Sequence, residues 1–392
     1  MDVVSLTEEL VAIPSHADEA AAGAFVADWL REHTEAAVTH DVHGNVIARK
    51  GTGEPSLALV GHHDVVPPDE SQVDEDGEYV VERRETTDGA SGSETTREGR
   101  EAERSEASNS ASGSETTRER LYGRGTADMK GSLAAAMLTF ATADPTDGEL
   151  VVASFAGEEQ GGEGCRAAVE DGFETDYAVV VEGSTGYSGP GVTDVAVAHK
   201  GRRGSTIAAE GEAAHASEVD AGENAIYRAT DAVDVVRDLD SPTAEVLGHE
   251  LQGSVAVTEI DGGSAWNVVP ERCEATVDER TVPGERAPLE RIEDIAGVSL
   301  RVDQDLPPMA CGDADFADAV LDAATAAQDA DPEHVVKPHA TDAGWLAAAG
   351  TDCVVVGAAE PGEAHTATES VSIDVLERCR RIYDGVVASW LG

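Results

Sequence analysis

The chain has 392 residues, with 78 acidic against 27 basic side chains and a formal net charge of −51. That length allows two or three domains and a sizeable core. The charge argues against nucleic acid or an anionic membrane as a partner, because the chain would repel both.

A 41% hydrophobic content with clear apolar runs excludes disorder for most of the chain. The acidity reads as adaptation to molar salt, where a Debye length of roughly 3 Å screens carboxylate repulsion. Five cysteines, at 165, 273, 311, 353 and 379, are widely spaced and form no CxxC. They read as buried thiols in a reducing cytoplasm. The N-terminal segment lacks the basic region and long apolar core of a secretory signal. No uncharged apolar stretch reaches 18 residues, so no transmembrane helix is expected.

In chain order, helical spacing covers residues 4–12 and 19–33. Strands are expected at 46–48 and 57–60. The second runs LALV and ends in GHHDVVP at 61–67, an apolar strand closing in a tight turn. Residues 83–120 contain no Val, Ile, Leu, Met or aromatic residue, and the octet SGSETTRE occurs twice, at 91–98 and 112–119. This stretch reads as a disordered low-complexity insertion. Structure resumes with LYGRGTADMKG from Leu121. Met129, Leu133, Ala136, Met137 and Phe140 then form one helix face. Strands at 150–156 and 178–181 lead into Glu158–Glu159 and Glu182.

Between about 203 and 305 the order reads βαββαβ. Strands are expected at 205–209, 253–260, 273–278 and 299–302, with helices at 224–239 and 288–295. This order suggests a small α+β domain inserted in the chain. The first part's style returns with a helix at 316–327, a strand at 353–356, a loop carrying His365 and a last helix at 375–390.

His62, Asp128, Glu159, Glu182 and His365 follow separate apolar strands or open a helix. Ligands collect at the carboxyl ends of strands in open α/β sheets. Imidazole and carboxylate donors without thiolate suit zinc, or cobalt and manganese as substitutes. Five donors exceed the need of one catalytic zinc and suit two ions sharing a carboxylate. Asp64 can orient His62 from behind. Glu158, beside Glu159, can take a water's proton and pass it to a leaving amine. Histidines 16, 33, 40, 43, 249, 334 and 339 read as non-functional and mostly surface, and His63 as a neighbour rather than a ligand.

With these residues placed, the chain resembles the di-zinc metallopeptidase and amidohydrolase family. That family includes acetylornithine deacetylase, succinyl-diaminopimelate desuccinylase, aminoacylase and the glutamate carboxypeptidases. The resemblance rests on GHHDVVP at 61–67, GRGTADMKG at 123–131 and GEE at 157–159, and covers nearly the whole chain except the insertion. It implies an α/β fold: a zinc-peptidase-like catalytic domain with a mixed, mostly parallel sheet (1–202 and 306–392) and a ferredoxin-like dimerisation or lid domain (203–305). It implies that His62, Asp128 and Glu182 hold one metal, that Asp128, Glu159 and His365 hold the other, and that Glu158 is general base and acid. EAAHAS at 212–217 resembles the segment whose histidine, here His215, reaches a partner's active site and stabilises an oxyanion. Asn267 and Arg280 match positions that touch the substrate's polar end, and the guanidinium fork of Arg280 suits a carboxylate.

The resemblance therefore implies a cytoplasmic homodimer that cleaves the amide of a small N-acyl amino acid in amino-acid biosynthesis, with two divalent ions, zinc first. A dipeptidase or carboxypeptidase of the same family is the nearest alternative, and a non-catalytic binding protein on this fold a remote one. Glu182, where family aminopeptidases tend to have Asp, leans toward the deacylases. One departure concerns specificity: many family deacylases carry Arg just after the Thr-Asp of the C-terminal half, and here Ala343 follows Thr341 and Asp342.

Overall fold

The computed structural model describes residues 1–75, 77–87 and 117–392. A mixed nine-stranded sheet forms the centre of the larger part. Its middle strands, Gly148–Phe155, Ser56–His62, Tyr177–Val180 and Asp352–Val355, are parallel. Antiparallel pairings flank them, between Val46–Thr52 and Gly148–Phe155 on one side and between Met309–Ala310 and Val195–His199 on the other. The sheet is thus mixed, with parallel strands at its centre and a further parallel pairing of His334–Lys337 with Val195–His199.

Alternation along the central strand explains why its sequence is continuously apolar. Leu57 and Leu59 join the core beneath the helices Val3–Val11, Gly131–Thr142 and Ile373–Trp390. Ala58 and Val60 join the opposite core, with Cys165 and Leu346 from the helices Glu163–Glu170 and Ala343–Ala348. A strand covered on both faces has no solvated side to make polar. Parallel register then sets the site. His62 lies opposite Phe155, and Val60 lies opposite Val180. The residues that follow each strand end therefore emerge on one edge of the sheet. Packing is close at Gly61, where a Cβ would stand 2.8 Å from Met129 Cε and displace the end of that side chain.

The smaller part is a four-stranded antiparallel sheet, in the order Ser254–Gly262, Arg272–Thr281, Gly201–Glu210, Val298–Leu306. One face packs Ile207, Ala209, Cys273, Ala275 and Val277 against Ala229, Ala232 and Val236 of the helix Ala225–Arg237. The second expected helix is a short 3-10 segment, Leu289–Asp294, entered from Pro288. Six residues after a proline suffice to bury Leu289 and Ile292 without an α-helix.

The expected insertion is ordered at both ends. Glu82–Thr87 pairs antiparallel with Thr117–Tyr122, which also pairs with Ser370–Ser372. Residues 83–87 and 117–120 are thus strand, although they lack apolar side chains. The remainder of the proposed low-complexity stretch lies outside the described residues. All five cysteines are buried and free. No helix of the described residues is long and apolar enough to cross a membrane.

Candidate metal centre

The edge where the central strands end gathers four carboxylates around two imidazoles. His62 Nε2 lies 3.2 Å from Asp128 Oδ1 and 3.3 Å from Glu182 Oε1. His365 Nε2 lies 3.2 Å from Asp128 Oδ2 and 3.0 Å from Glu159 Oε1. The two oxygens of Asp128 are thus divided between the histidines. Two three-residue groups result, His62–Asp128–Glu182 and Asp128–Glu159–His365, which share Asp128. Glu158 Oε2 stands farther out, 4.0 Å from His62 Nε2.

The orientation of these groups is built in behind them. His62 Nδ1 faces Asp64, 3.0 Å from its carbonyl oxygen and 3.4 Å from Oδ1. Only Nε2 is left to face the cluster. The fully buried Asp64 carboxylate also accepts the backbone N–H groups of Glu158 at 3.2 Å and Glu159 at 3.0 Å. One side chain therefore aligns the first histidine and the Gly157–Glu159 turn together. Asp64→Asn removes one acceptor and the charge; metal affinity is expected to fall about 10- to 100-fold. Equilibrium competition with a chelating dye measures this, and wild-type affinity would contradict it.

Asp128 is held in a similar way. Glu369, 1% exposed, accepts the N–H groups of Gly125 at 2.9 Å, Ala127 at 3.0 Å and Asp128 at 3.2 Å, and pairs with buried Arg124. The backbone at His365 has φ 61°, in the left-handed region. A non-glycine residue there is held by its surroundings rather than by its own preference.

The electrostatics describe a donor set that seeks cations. Burial opposes a charge on His62, yet Asp128, Asp64 and Glu182 hold its pKa well above the ordinary value. Asp128 and Glu159 push His365 up to about 10. Burial works against the Asp128 anion, but His365 and His62 keep its carboxyl well below the usual range. Burial raises Glu158 well above the carboxylate range; His62 opposes this, and Asp342, Glu182 and Glu159 add to it. Imidazole and carboxylate donors converging without thiolate fit divalent zinc, cobalt or manganese. Donor atoms also converge as His62–Asp128–Glu159, which spans the two groups, and as His62–Glu158–Glu182, which brings in Glu158.

The cluster floors a cleft of about 330 Å³, at the small-molecule end of the range for binding sites. Several of its features were not foreseen. His339, expected to be non-functional, lines the cleft, as do Tyr187 and Lys337. Buried Asp342 sits close behind, its carboxyl raised to about 7 by burial, against His62 and with Asp64 and Glu182. His199, which the sequence left unassigned, is buried at 3.1 Å from Thr341 Oγ1. His63 is a packing neighbour, as expected. It contacts Ser154 Oγ at 2.8 Å, and burial lowers its pKa to about 3.

The candidates on the smaller domain lie outside this cleft. His215 is exposed and contacts Ser217 Oγ at 2.7 Å. Asn267 is its neighbour across the short pairing of Ala214–His215 with Val268–Val269. Arg280 turns to Asp278, 2.8 Å away, on the open face of the sheet. None of the three lines the cleft, although the charge of Arg280 is felt by His339, which does.

The model of peptidase family M20/M25/M40 matches residues 103–389. An acetylornithine deacetylase from Myxococcus xanthus is 28% identical over 372 residues, which cover 89% of this chain and 84% of that protein. A probable succinyl-diaminopimelate desuccinylase from Staphylococcus epidermidis is 25% identical over 314 residues, 72% of this chain and 68% of that one. Among solved structures, the aminopeptidase PepT from Bacillus cereus shares the fold. Its TM-score is 0.72 at 16% identity, over 98% of this chain and 97% of that one.

Proposed function

The chain belongs to peptidase family M20/M25/M40 and is an amide hydrolase, and from that premise we propose that its substrate is a small N-acyl amino acid of the acetylornithine or succinyl-diaminopimelate type. The observation that carries the reading is the division of Asp128 between His62 and His365, with Glu158 set back 4.0 Å from His62 Nε2. In this reading His62, Asp128 and Glu182 hold one divalent ion, and Asp128, Glu159 and His365 a second. Zinc is the first choice. Such ions, when bound, acidify a water and polarise an amide carbonyl.

The remaining steps belong to side chains. Glu158 accepts the proton of the attacking water and delivers it to the leaving nitrogen. Its burial supports that role, because a carboxyl with a raised pKa can hold a proton between the two transfers. Asp64 keeps His62 and the Glu158 turn aligned throughout.

The exposed His215 and Asn267 acquire a role if a second copy of the chain docks through the smaller domain. His215 then stabilises the oxyanion in the other copy's cleft, while Asn267 and Arg280 meet the polar end of the substrate. Trp266 supports this, being 98% exposed beside Asn267, as do Tyr227 and Ile260 on the same domain. Exposed apolar side chains of that size commonly mark contact surfaces. The working environment we propose is a cytoplasm of molar salt, supported by the net charge of −51 and the five free thiols.

The test is amide hydrolysis in molar KCl with added zinc or cobalt, offering N-acetylornithine, N-succinyl-diaminopimelate, other N-acetyl amino acids and a dipeptide side by side. Preference for an acyl amino acid is the expected result. Cleavage of the dipeptide alone would move the protein to the peptidase branch.

A further inference from the structure

One charged side chain in the cleft is left without a partner. Lys337 ends the strand His334–Lys337, whose parallel pairing with Val195–His199 brings it to the cleft. The residue is 5% exposed and lines the cleft with Glu182, Tyr187 and His339. The charges acting on it are those of Glu182, Asp128 and Glu158. Yet among the described residues its ammonium makes no hydrogen bond or ion pair, since the nearby carboxylates turn to the two imidazoles.

The chain has only four lysines, and two others show what a settled one does here. Lys50 Nζ donates to the carbonyls of Phe140, Ala141 and Ala143. Buried Lys130 donates to Ile13 O at 2.7 Å. Enclosing a charge without such partners is costly. Lys337 faces an open cleft rather than packed core, so its partner arrives with whatever fills that cleft.

We propose that Lys337 anchors a carboxylate of the substrate. The proposal rests on the amide-hydrolase reading and deepens it. Two places on such a substrate can supply the anion: the α-carboxylate of the amino acid, or a carboxylate at the far end of the acyl group. The shared chemistry is one ammonium–carboxylate pair.

The experiment compares wild type, Lys337→Met and Lys337→Arg at equal metal content. The substrates are an N-acetyl amino acid, its α-carboxamide and the N-succinyl counterpart. For the amide whose carboxylate is held, Lys337→Met should raise KM by about 10- to 100-fold, with a much smaller change in kcat. Lys337→Arg should recover part of that loss. The loss should shrink on the amide lacking the held carboxylate, which identifies the end that is bound. A wild-type KM for Lys337→Met on every carboxylate-bearing amide overturns the proposal. An equal fall in kcat on all amides also overturns it, because that pattern belongs to general support of the carboxylate cluster.

If wild type cleaves none of these amides, the substrate reading fails and the anchor is judged separately. Calorimetric titration with succinate should then show binding about tenfold or more weaker in Lys337→Met. Equal affinity in the two proteins overturns the anchor.

Discussion

Replacing Glu158 with alanine or glutamine lowers kcat by about 10²- to 10⁴-fold, the usual contribution of a positioned acid–base group, while metal content stays at the wild-type level. The geometry separates the two effects. Glu158 Oε2 is 4.0 Å from His62 Nε2, whereas the oxygens of Asp128 and Glu182 stand at 3.2 and 3.3 Å. The Glu158 backbone is fixed independently of its side chain, through the N–H donated to Asp64. Trp345 Nε1 also donates to Gly161 O, at 3.2 Å, at the far end of the same turn. Truncation of Glu158 therefore removes a proton carrier and leaves the turn in place. Turnover measured beside elemental analysis checks this. Undiminished turnover would remove Glu158 from the chemistry, and loss of a metal ion along with activity would make it a ligand.

Asp128→Ala has the larger effect on the metals. Each imidazole has an Asp128 oxygen 3.2 Å away, so one substitution takes a donor from both sets. It also leaves His62 and His365 with fewer of the carboxylates that balance a bound charge. Both ions should bind more weakly, and kcat/KM should fall on the order of 10³-fold or more, as expected when several kcal/mol of Lewis-acid assistance is lost. His365→Ala is the contrast, since it touches only the set with Glu159 and should weaken one ion much more than the other. Metal titration of both variants checks the difference. Equal behaviour of Asp128→Ala and His365→Ala would mean that Asp128 is not shared.

Much of this centre was legible because strand ends are. Leu57–Val60 announces a buried strand, and parallel pairing carries its end to the same edge as Glu159 and Glu182. The motifs around His62, Asp128 and Glu159 did the rest. What escaped notice lies where local pattern is weak. Lys337 ends, and His339 follows, a strand of four residues that is mostly half-buried, so no apolar run points to them. Glu369 lies four residues beyond His365, and its value depends on three N–H groups some 240 positions earlier in the chain. Only Arg124, inside a quoted motif, hinted at that pairing.

The ends of the insertion misled for a different reason. Residues 82–85 are an exposed edge, and the strand paired with them commits only Leu121 to the core, so neither shows the apolar alternation of a half-buried strand. Arg83 pairs with Glu8 and Arg120 with Glu363, so the polar side chains are used rather than merely solvated. The exposed His215 marks another limit. The role proposed for it calls for a second chain, and the fold of one chain does not supply that.

A centre of two ions sharing Asp128 is tested most directly by activity during metal replacement. The purified protein is stripped with a chelator in molar KCl, then titrated with zinc while hydrolysis of its best amide substrate is followed. Activity should vanish on stripping and climb until about two equivalents of zinc per chain are bound, as a two-metal site requires. Activity that survives stripping, or a plateau at a single equivalent with no further gain, would contradict a centre of two ions.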